Sequence, residues 1–405
     1  MNKEDLLAAA LTASYLLPST RRPLFSDIRL DPRSDANIVQ DFIAFLRSAP
    51  HLSSLIHHVT FCKRKPHQML SSVPSLRIGL GQLDELLTEL PRLHTLRLND
   101  IQLIRDAGES SIDHHGRYSL KQLVLTDAIS EDAVIVFLGW FSRIDELIVS
   151  NHWFNCHLWE WWKTGFNLDG FLAKHALSVT PNTSIRKLRL EGKVSSAAFY
   201  TELLRRTSTS DSLTSFTLNA SDFGIHFTSS SLILNLWQNA AATLVHLVLH
   251  TSDSRETTPQ MENVREDFAS DIMRDKLSAL TALRTVTFYV TYRHEPAILR
   301  ARALAQCGAL LLSLPSYLHR ISFLFWEKPP RAARSSDRGT IPWYSPELNL
   351  RSLDLIFQRF DQLEGVVLGG SVALSQKEQE NIRKELREQD VKGLIVFEYT
   401  PPESF

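Results

Sequence analysis

The residues best equipped for chemistry are His152, Cys156 and His157, a thiol between two imidazoles in one short stretch. Imidazole nitrogen and thiolate sulfur are donors that a zinc ion takes, and a tetrahedral site needs four of them. The neighbourhood offers no fourth donor, so the cluster reads as part of an aromatic-rich insertion. The other close histidines are the pairs His57-His58 and His114-His115. Gly79-Leu80-Gly81 lacks the third glycine and preceding strand of a phosphate cradle, and Gly369-Gly370 has no Lys-Ser/Thr partner. An HExxH helix and a nucleophile elbow are both absent from the sequence. No acid, base and nucleophile can be named together, so the chain is expected to be non-catalytic and to need no cofactor or metal.

Trp153, Trp159, Trp161 and Trp162 place four of the eight tryptophans in that same insertion, with Phe154 and Phe166 among them. Trp is enriched at binding hot spots because it buries a large area at small entropic cost. Large aromatics are also the ordinary filling of a gap between unevenly spaced units. Both readings stand on sequence. The basic run Lys63-Arg64-Lys65 reads as a solvated turn, with a nuclear localisation signal as its alternative, and Arg331 to Arg338 reads as a solvent loop.

What would position any such residue is a repeated phrase: apolar, two others, apolar, one other, apolar. It occurs at Ile56-His57-His58-Val59-Thr60-Phe61 and in the six residues starting at Leu93, Leu120, Ile144, Ile185, Leu213, Leu244, Leu283, Leu318, Leu363 and Val391. In an extended chain side chains alternate between faces, so the fourth and sixth positions point into one core while the third, fifth and seventh point away. The copies recur at intervals of 24 to 45 residues. Amphipathic stretches fill the intervals, among them Gln40 to Leu46, Leu83 to Leu90, Asp132 to Phe141, Ala197 to Leu204, Leu232 to Ala240, Glu262 to Leu280 and Ala297 to Leu314. Strand phrase and returning helix at such intervals predict an α/β fold, a leucine-rich-repeat solenoid with parallel strands on the concave face and helices on the convex face. The ninth position of the phrase holds Ile101, Ala128, His152, Lys193, Ser221, Ser252 or Thr291, so the usual Asn ladder is missing and the solenoid is expected to be irregular.

Lys+Arg 44 against Asp+Glu 45 gives a net charge near zero, which supplies no global field toward nucleic acid or an anionic membrane. Cys62, Cys156 and Cys307 are odd in number and far apart, unlike a disulfide framework, so a reducing compartment is expected: cytoplasmic, with the nucleus as the alternative. Glu4 and Asp5 stand where a signal peptide carries positive charge, and no run has the ~18 apolar residues of a membrane span. Thr251 to Gln260 and Glu327 to Asn349 read as polar loops, the second of them mobile. Ser375 with Glu378 opens a capping box, and a charged helix through Asp390 and a final strand would cap the array over 375–397.

The segment from Asp5 to Leu30 runs DLLAAALTASYLLPSTRRPLFSDIRL. It resembles the second half of an F-box as found in fungal F-box proteins: a small-residue helix ending in an aromatic, a Pro-Ser-Arg-Arg-x-Leu-Phe segment, then an Ile-Arg-Leu strand. The resemblance divides the chain into a partial F-box-like segment over 1–31 and the repeats over 32–405. It implies a helix with Leu7, Leu11 and Tyr15 on its packed face and Leu24 with Phe25 pinning the next turn, and it puts Leu7, Leu11, Tyr15, Pro18, Leu24 and Phe25 at the adaptor contact. Family members use this domain to bind the Skp adaptor of a cullin-RING ubiquitin ligase and the repeats to hold a protein substrate. The family's opening Leu-Pro-x-Glu segment and first helix have no counterpart before Met1, so either the start lies upstream or the segment serves as a cap on the first repeat.

Alternation then predicts the outward ladder of the strands: Thr60, Arg97, Val124, Ile148, Arg189, Thr217, Val248, Thr287, Ser322, Val367 and Ile395, flanked by His58, Glu146, Lys187, His246 and Arg320. Such a mostly neutral lining suits a protein or peptide partner and neither nucleic acid nor membrane. The expected function is an F-box-like substrate receptor, with a plain leucine-rich-repeat scaffold as the alternative.

Overall fold

A computed structural model describes residues 25–31, 37–62, 76–105, 115–126, 131–151, 168–175, 177–179, 182–192, 194–220, 231–252, 271–292, 297–327, 344, 348 and 350–399. The chain divides into two compact units, Met1–Glu191 with Arg206–Thr209, and Gly192–Arg205 with Ser210–Phe405. The first carries β1 (Asp27–Leu30), β2 (His58–Cys62), β3 (Leu76–Gly79), β4 (Thr95–Asn99), β5 (Ile101–Ile104), β6 (Tyr118–Thr126), β7 (Phe141–Asn151) and β8 (Ser184–Gly192). The second carries β9 (Ser215–Ala220), β10 (His246–Ser252), β11 (Thr285–Tyr292), β12 (Arg320–Glu327), β13 (Gly365–Gly370) and β14 (Ile395–Tyr399).

In the first unit β1, β2, β4, β6, β7 and β8 lie side by side in that order, and the pairs from β1 to β7 are parallel. In the second, β9 to β14 are neighbours in sequence order and every pair is parallel. Among the described residues the molecule is thus mixed α/β with twelve strands in its main-sheet order, six in each unit. A parallel neighbour needs a crossover, which helices supply. Expected and observed helices coincide within a few residues: Ile38–Ser48, Leu80–Glu89, Glu131–Gly139, Val194–Arg205, Ser231–Asn239 and Ala297–Ser313. Of the stretch from Glu262, the described part is the helix Asp271–Ser278.

The phrase governs burial. In ten of the eleven copies the fourth and sixth residues are at most 2% exposed, from Val59 and Phe61 to Val366 and Leu368. Helix Leu80–Glu89 adds Leu83, Leu86 and Leu87 to the core at helical spacing, with Leu90 just past its end also buried. At roughly 25 cal/mol per Å² of apolar surface, such side chains contribute about 1.5–3 kcal/mol each. A carbonyl at the phrase's second position accepts two N–H groups from the next copy. Ser26 takes His57 and His58, His57 takes His94 and Thr95, and His94 takes Lys121 and Gln122. In the second unit Thr214, Val245, Arg284 and His319 do the same for Val245/His246, Arg284/Thr285, His319/Arg320 and Glu364/Gly365. Each of these seven strands is therefore pinned to its predecessor before its ladder begins.

Several expectations are corrected. Phe25-Ser26-Asp27-Ile28-Arg29-Leu30 is a further copy of the phrase, with Phe25, Ile28 and Leu30 all buried and β1 in register with β2. The copy at Val391 is one residue out of frame. Val391 is 80% exposed and Val396 44%, while Ile395 is 7% exposed and pairs with the inward Val366. A one-residue slip exchanges the faces of a strand, so Val396, not Ile395, stands on the outward ladder. β3 and β5 form a separate two-stranded sheet that the phrase does not encode. Asp100 makes the turn from β4 to β5 at φ 63, a left-handed conformation that Asp tolerates through its short polar side chain.

Thr251 and Ser252 belong to β10 and not to a polar loop, and Glu327 closes β12. Within the second expected loop Tyr344 and Leu348 are buried. Tyr344 Oη donates to Glu385 Oε1 at 2.7 Å, and the Leu350 N–H donates to Glu385 Oε2 at 3.0 Å. The expected C-terminal helix is two helices, Gln376–Glu385 and Arg387–Val391, interrupted at Leu386. The Ser375–Glu378 capping box is present as read.

Candidate functional site: the outward strand faces

Parallel pairing brings the outward positions of successive strands into rows. In the first unit the register sets Arg29, Thr60, Arg97, Val124 and Ile148 side by side, and His58, Thr95, Gln122 and Glu146 in the row before them. Arg97 Nη2 donates to Gln122 Oε1 at 3.1 Å, and Gln122 Nε2 donates to Glu146 Oε2 at 2.7 Å, a relay across three strands. Arg29 Nη2 donates to Cys62 Sγ at 3.3 Å, and Thr126 Oγ1 to Asn99 Oδ1 at 3.0 Å. On β8 Arg189 pairs with Glu191 two residues along the same face. Beside this face stand three histidines. The rings of His57 and His94 stack at 4.8 Å, and His58 meets each edge-on at 6.5 and 6.4 Å. Burial, then Lys121, His57 and His58, hold the His94 imidazole below its ordinary range.

The second unit presents different chemistry at the same positions. Its central row is Thr217, Val248, Thr287, Ser322, Val367 and Val396. The next row sets His250, Tyr289, Leu324, Gly369 and Glu398 together, with the His250 and Tyr289 rings stacked at 4.4 Å. Arg320 on β12 reaches Glu398 on β14 at 2.7 Å. That bridge crosses β13 diagonally, and Val367 on its path is 2% exposed. Gly369 must lack a side chain, because a Cβ there would stand 2.7 Å from the Glu398 carbonyl oxygen and 3.0 Å from Leu324 Cδ2.

Arg97, Val124 and Ile148 of the expected ladder are thus brought together in the first unit, and Thr217, Val248 and Thr287 in the second. Arg189 stands on β8 of the first unit. Of the F-box-like residues only Phe25 is described, and it is packed in the core at 1% exposure. Leu7, Leu11, Tyr15, Pro18 and Leu24 lie outside the described residues, as do Trp153, Trp159, Trp161, Trp162, His152, Cys156, His157 and the Arg331 to Arg338 run. Sequence reasoning missed Arg29, Tyr289, Leu324 and Glu398. The signal for Arg29 was present in the phrase starting at Phe25; the others follow from carrying the alternation one position further.

Groups elsewhere with displaced protonation serve packing. Burial, then a hydrogen bond to Asp84, pushes the Tyr118 phenol up, and its Oη donates to Asp84 Oδ1 at 2.6 Å. Burial, then Glu385, pushes Tyr344 up strongly. Among the described residues no group of three or more His, Cys, Asp or Glu is disposed to hold a metal ion, and no helix is long and apolar enough to cross a membrane. The sequence matches no protein-family model, and none of the curated proteins matches it significantly.

Proposed function

We propose that this chain is a leucine-rich-repeat protein-interaction module that acts as an F-box-like substrate receptor: its strand faces hold a protein, and its N-terminal segment engages the Skp adaptor of a cullin-RING ligase. The observation that carries the reading is the repeated phrase itself. Ten copies bury the same two positions and turn the residue between them, from Thr60 to Val367, to the other side. A parallel sheet built this way offers rows of side chains whose identity the core does not dictate, which suits recognition of a partner. The adaptor role is supported by the resemblance of Asp5 to Leu30 to the second half of an F-box, and by the way its Ile-Arg-Leu strand continues into the sheet as β1. The plain scaffold remains the second reading, favoured by the same continuity, since Phe25 to Leu30 behave as a repeat.

Co-precipitation of the full chain with purified Skp adaptor separates the two. Retention of the adaptor, lost on Leu11→Asp with the fold intact by circular dichroism, supports the receptor. No retention by this chain or by a form extended upstream leaves the scaffold reading.

A further inference from the structure

The first unit holds two exposed arginines on one row, Arg29 on β1 and Arg97 on β4, with Thr60 of β2 between them. Among the described residues their hydrogen bonds go to neutral atoms, Cys62 Sγ and Gln122 Oε1. Neither guanidinium has a carboxylate within ion-pair distance among the described residues, in contrast to Arg189 and Arg320, which are paired with Glu191 and Glu398. The outward neighbours of Arg97 are Thr60, Thr95, Asn99 and Val124, all uncharged. Burial first, then Lys121, His57 and His58, hold the nearby His94 imidazole below its ordinary range. An exposed guanidinium propped by neutral groups keeps most of its donors for an incoming oxyanion.

We infer that this row is the anchor for an acidic segment of a partner protein, one with two carboxylates spaced to meet Arg29 and Arg97, running across the strands over Thr60. The inference rests on the interaction-module reading and names the partner's chemistry. Two strand spacings set the arginine backbones roughly 10 Å apart, and alternate residues of an extended peptide carry their side chains roughly 7 Å apart. The two flexible guanidiniums close that difference and each takes one carboxylate, Thr60 donating to either. Two separated single charges fit this spacing better than one dianion, which would draw both arginines to a single point. Asp27, two residues before Arg29 on the same strand face and paired with His58, disfavours an anion lying along β1 and leaves the path across the strands over Thr60.

The test is fluorescence anisotropy of the full chain with labelled degenerate peptides fixed at their centre as Glu-Thr-Glu, Gln-Thr-Gln or phosphoserine-flanked Thr. The Glu library binds, weakens with added salt, and loses about tenfold on Arg97→Gln and more on Arg29→Gln/Arg97→Gln. Arg97→Lys retains part of the affinity, because charge survives while the planar fork does not. Unchanged urea midpoints of these exposed-site variants separate lost binding from lost fold. Equal binding of Gln and Glu libraries, or Glu binding indifferent to both arginines, overturns the anchor and leaves the interaction module standing. Preference for the phosphoserine library overturns the carboxylate assignment. Binding by no library overturns the anchor, while the adaptor experiment decides the receptor reading separately.

Discussion

The outward faces of the two units are built on one inward pattern and differ in almost everything else. In the first unit the row at the centre of the strands begins Arg29, Thr60, Arg97 and is tied sideways by polar side chains, Arg97 to Gln122 to Glu146. In the second it is Val248, Thr287, Ser322, Val367, beside stacked His250 and Tyr289 and beneath the Arg320–Glu398 bridge. Inward, both are Leu, Ile, Val and Phe at the same two positions. The core therefore fixes where side chains point and leaves open what they are, so one architecture carries, among the described residues, a surface with unpaired arginines and one of hydroxyl, aliphatic and aromatic side chains partly covered by its own ion pair.

The largest expected effects test whether the inward pattern is common to both. Phe288→Ala in the second unit, which loses a fully buried ring stacked on Phe323 at 5.2 Å, should cost about 3–5 kcal/mol, and Leu123→Ala in the first about 2–5 kcal/mol. Their outward neighbours Tyr289→Ala and Gln122→Ala should each cost about 1 kcal/mol or less. Urea denaturation of the four variants checks this, and an outward cost equal to the inward one would abolish the distinction. Next comes Gly369→Ala, for which no counterpart exists in the first unit. The added Cβ must displace the Glu398 backbone or Leu324, for a loss of about 1–3 kcal/mol, seen as accelerated hydrogen exchange in β13 and β14.

Smaller still is a pH effect at the His57, His58 and His94 group. The folded state holds His94 below its ordinary value, so an unfolded chain takes up the proton at a higher pH than the folded one. The stability tied to the neutral ring is present above about pH 6.5 and is lost as pH falls through the folded value. Amide protection factors in β2, β4 and β6 should fall over that window, and His94→Gln should flatten the slope there. An unaltered slope in the variant would assign the acid sensitivity to other groups.

The sequence makes the alternation legible because its inward positions are almost all large aliphatic or aromatic residues, and period two admits one strand frame at a time. Val391-Lys392-Gly393-Leu394-Ile395-Val396 defeats that logic. Apolar residues occupy both faces there, and only pairing with Val366 and Leu368 selects Ile395 and Phe397. β3 and β5 escape because each is four residues long and its partner lies beyond an intervening helix and strand. At the candidate site, alternation names Arg97 and Val248 but not their attachments. Arg320 and Glu398 stand 78 residues apart in sequence, and that Arg29 rests on Cys62 while Arg189 has Glu191 is a matter of register and rotamer.

The carbonyl that accepts two N–H groups at seven of the junctions has a further consequence. It fixes where the next strand starts by a bond to the previous one, whatever lies between, so the 27 to 45 residues of such an interval can lengthen without turning any later side chain to the other face. Insertions are then neutral to the reading frame of the surface, and a lineage of such chains can vary its loops freely while keeping each recognition residue in its row. Only proline at a donor position, such as Thr95 or Arg320, would break the count.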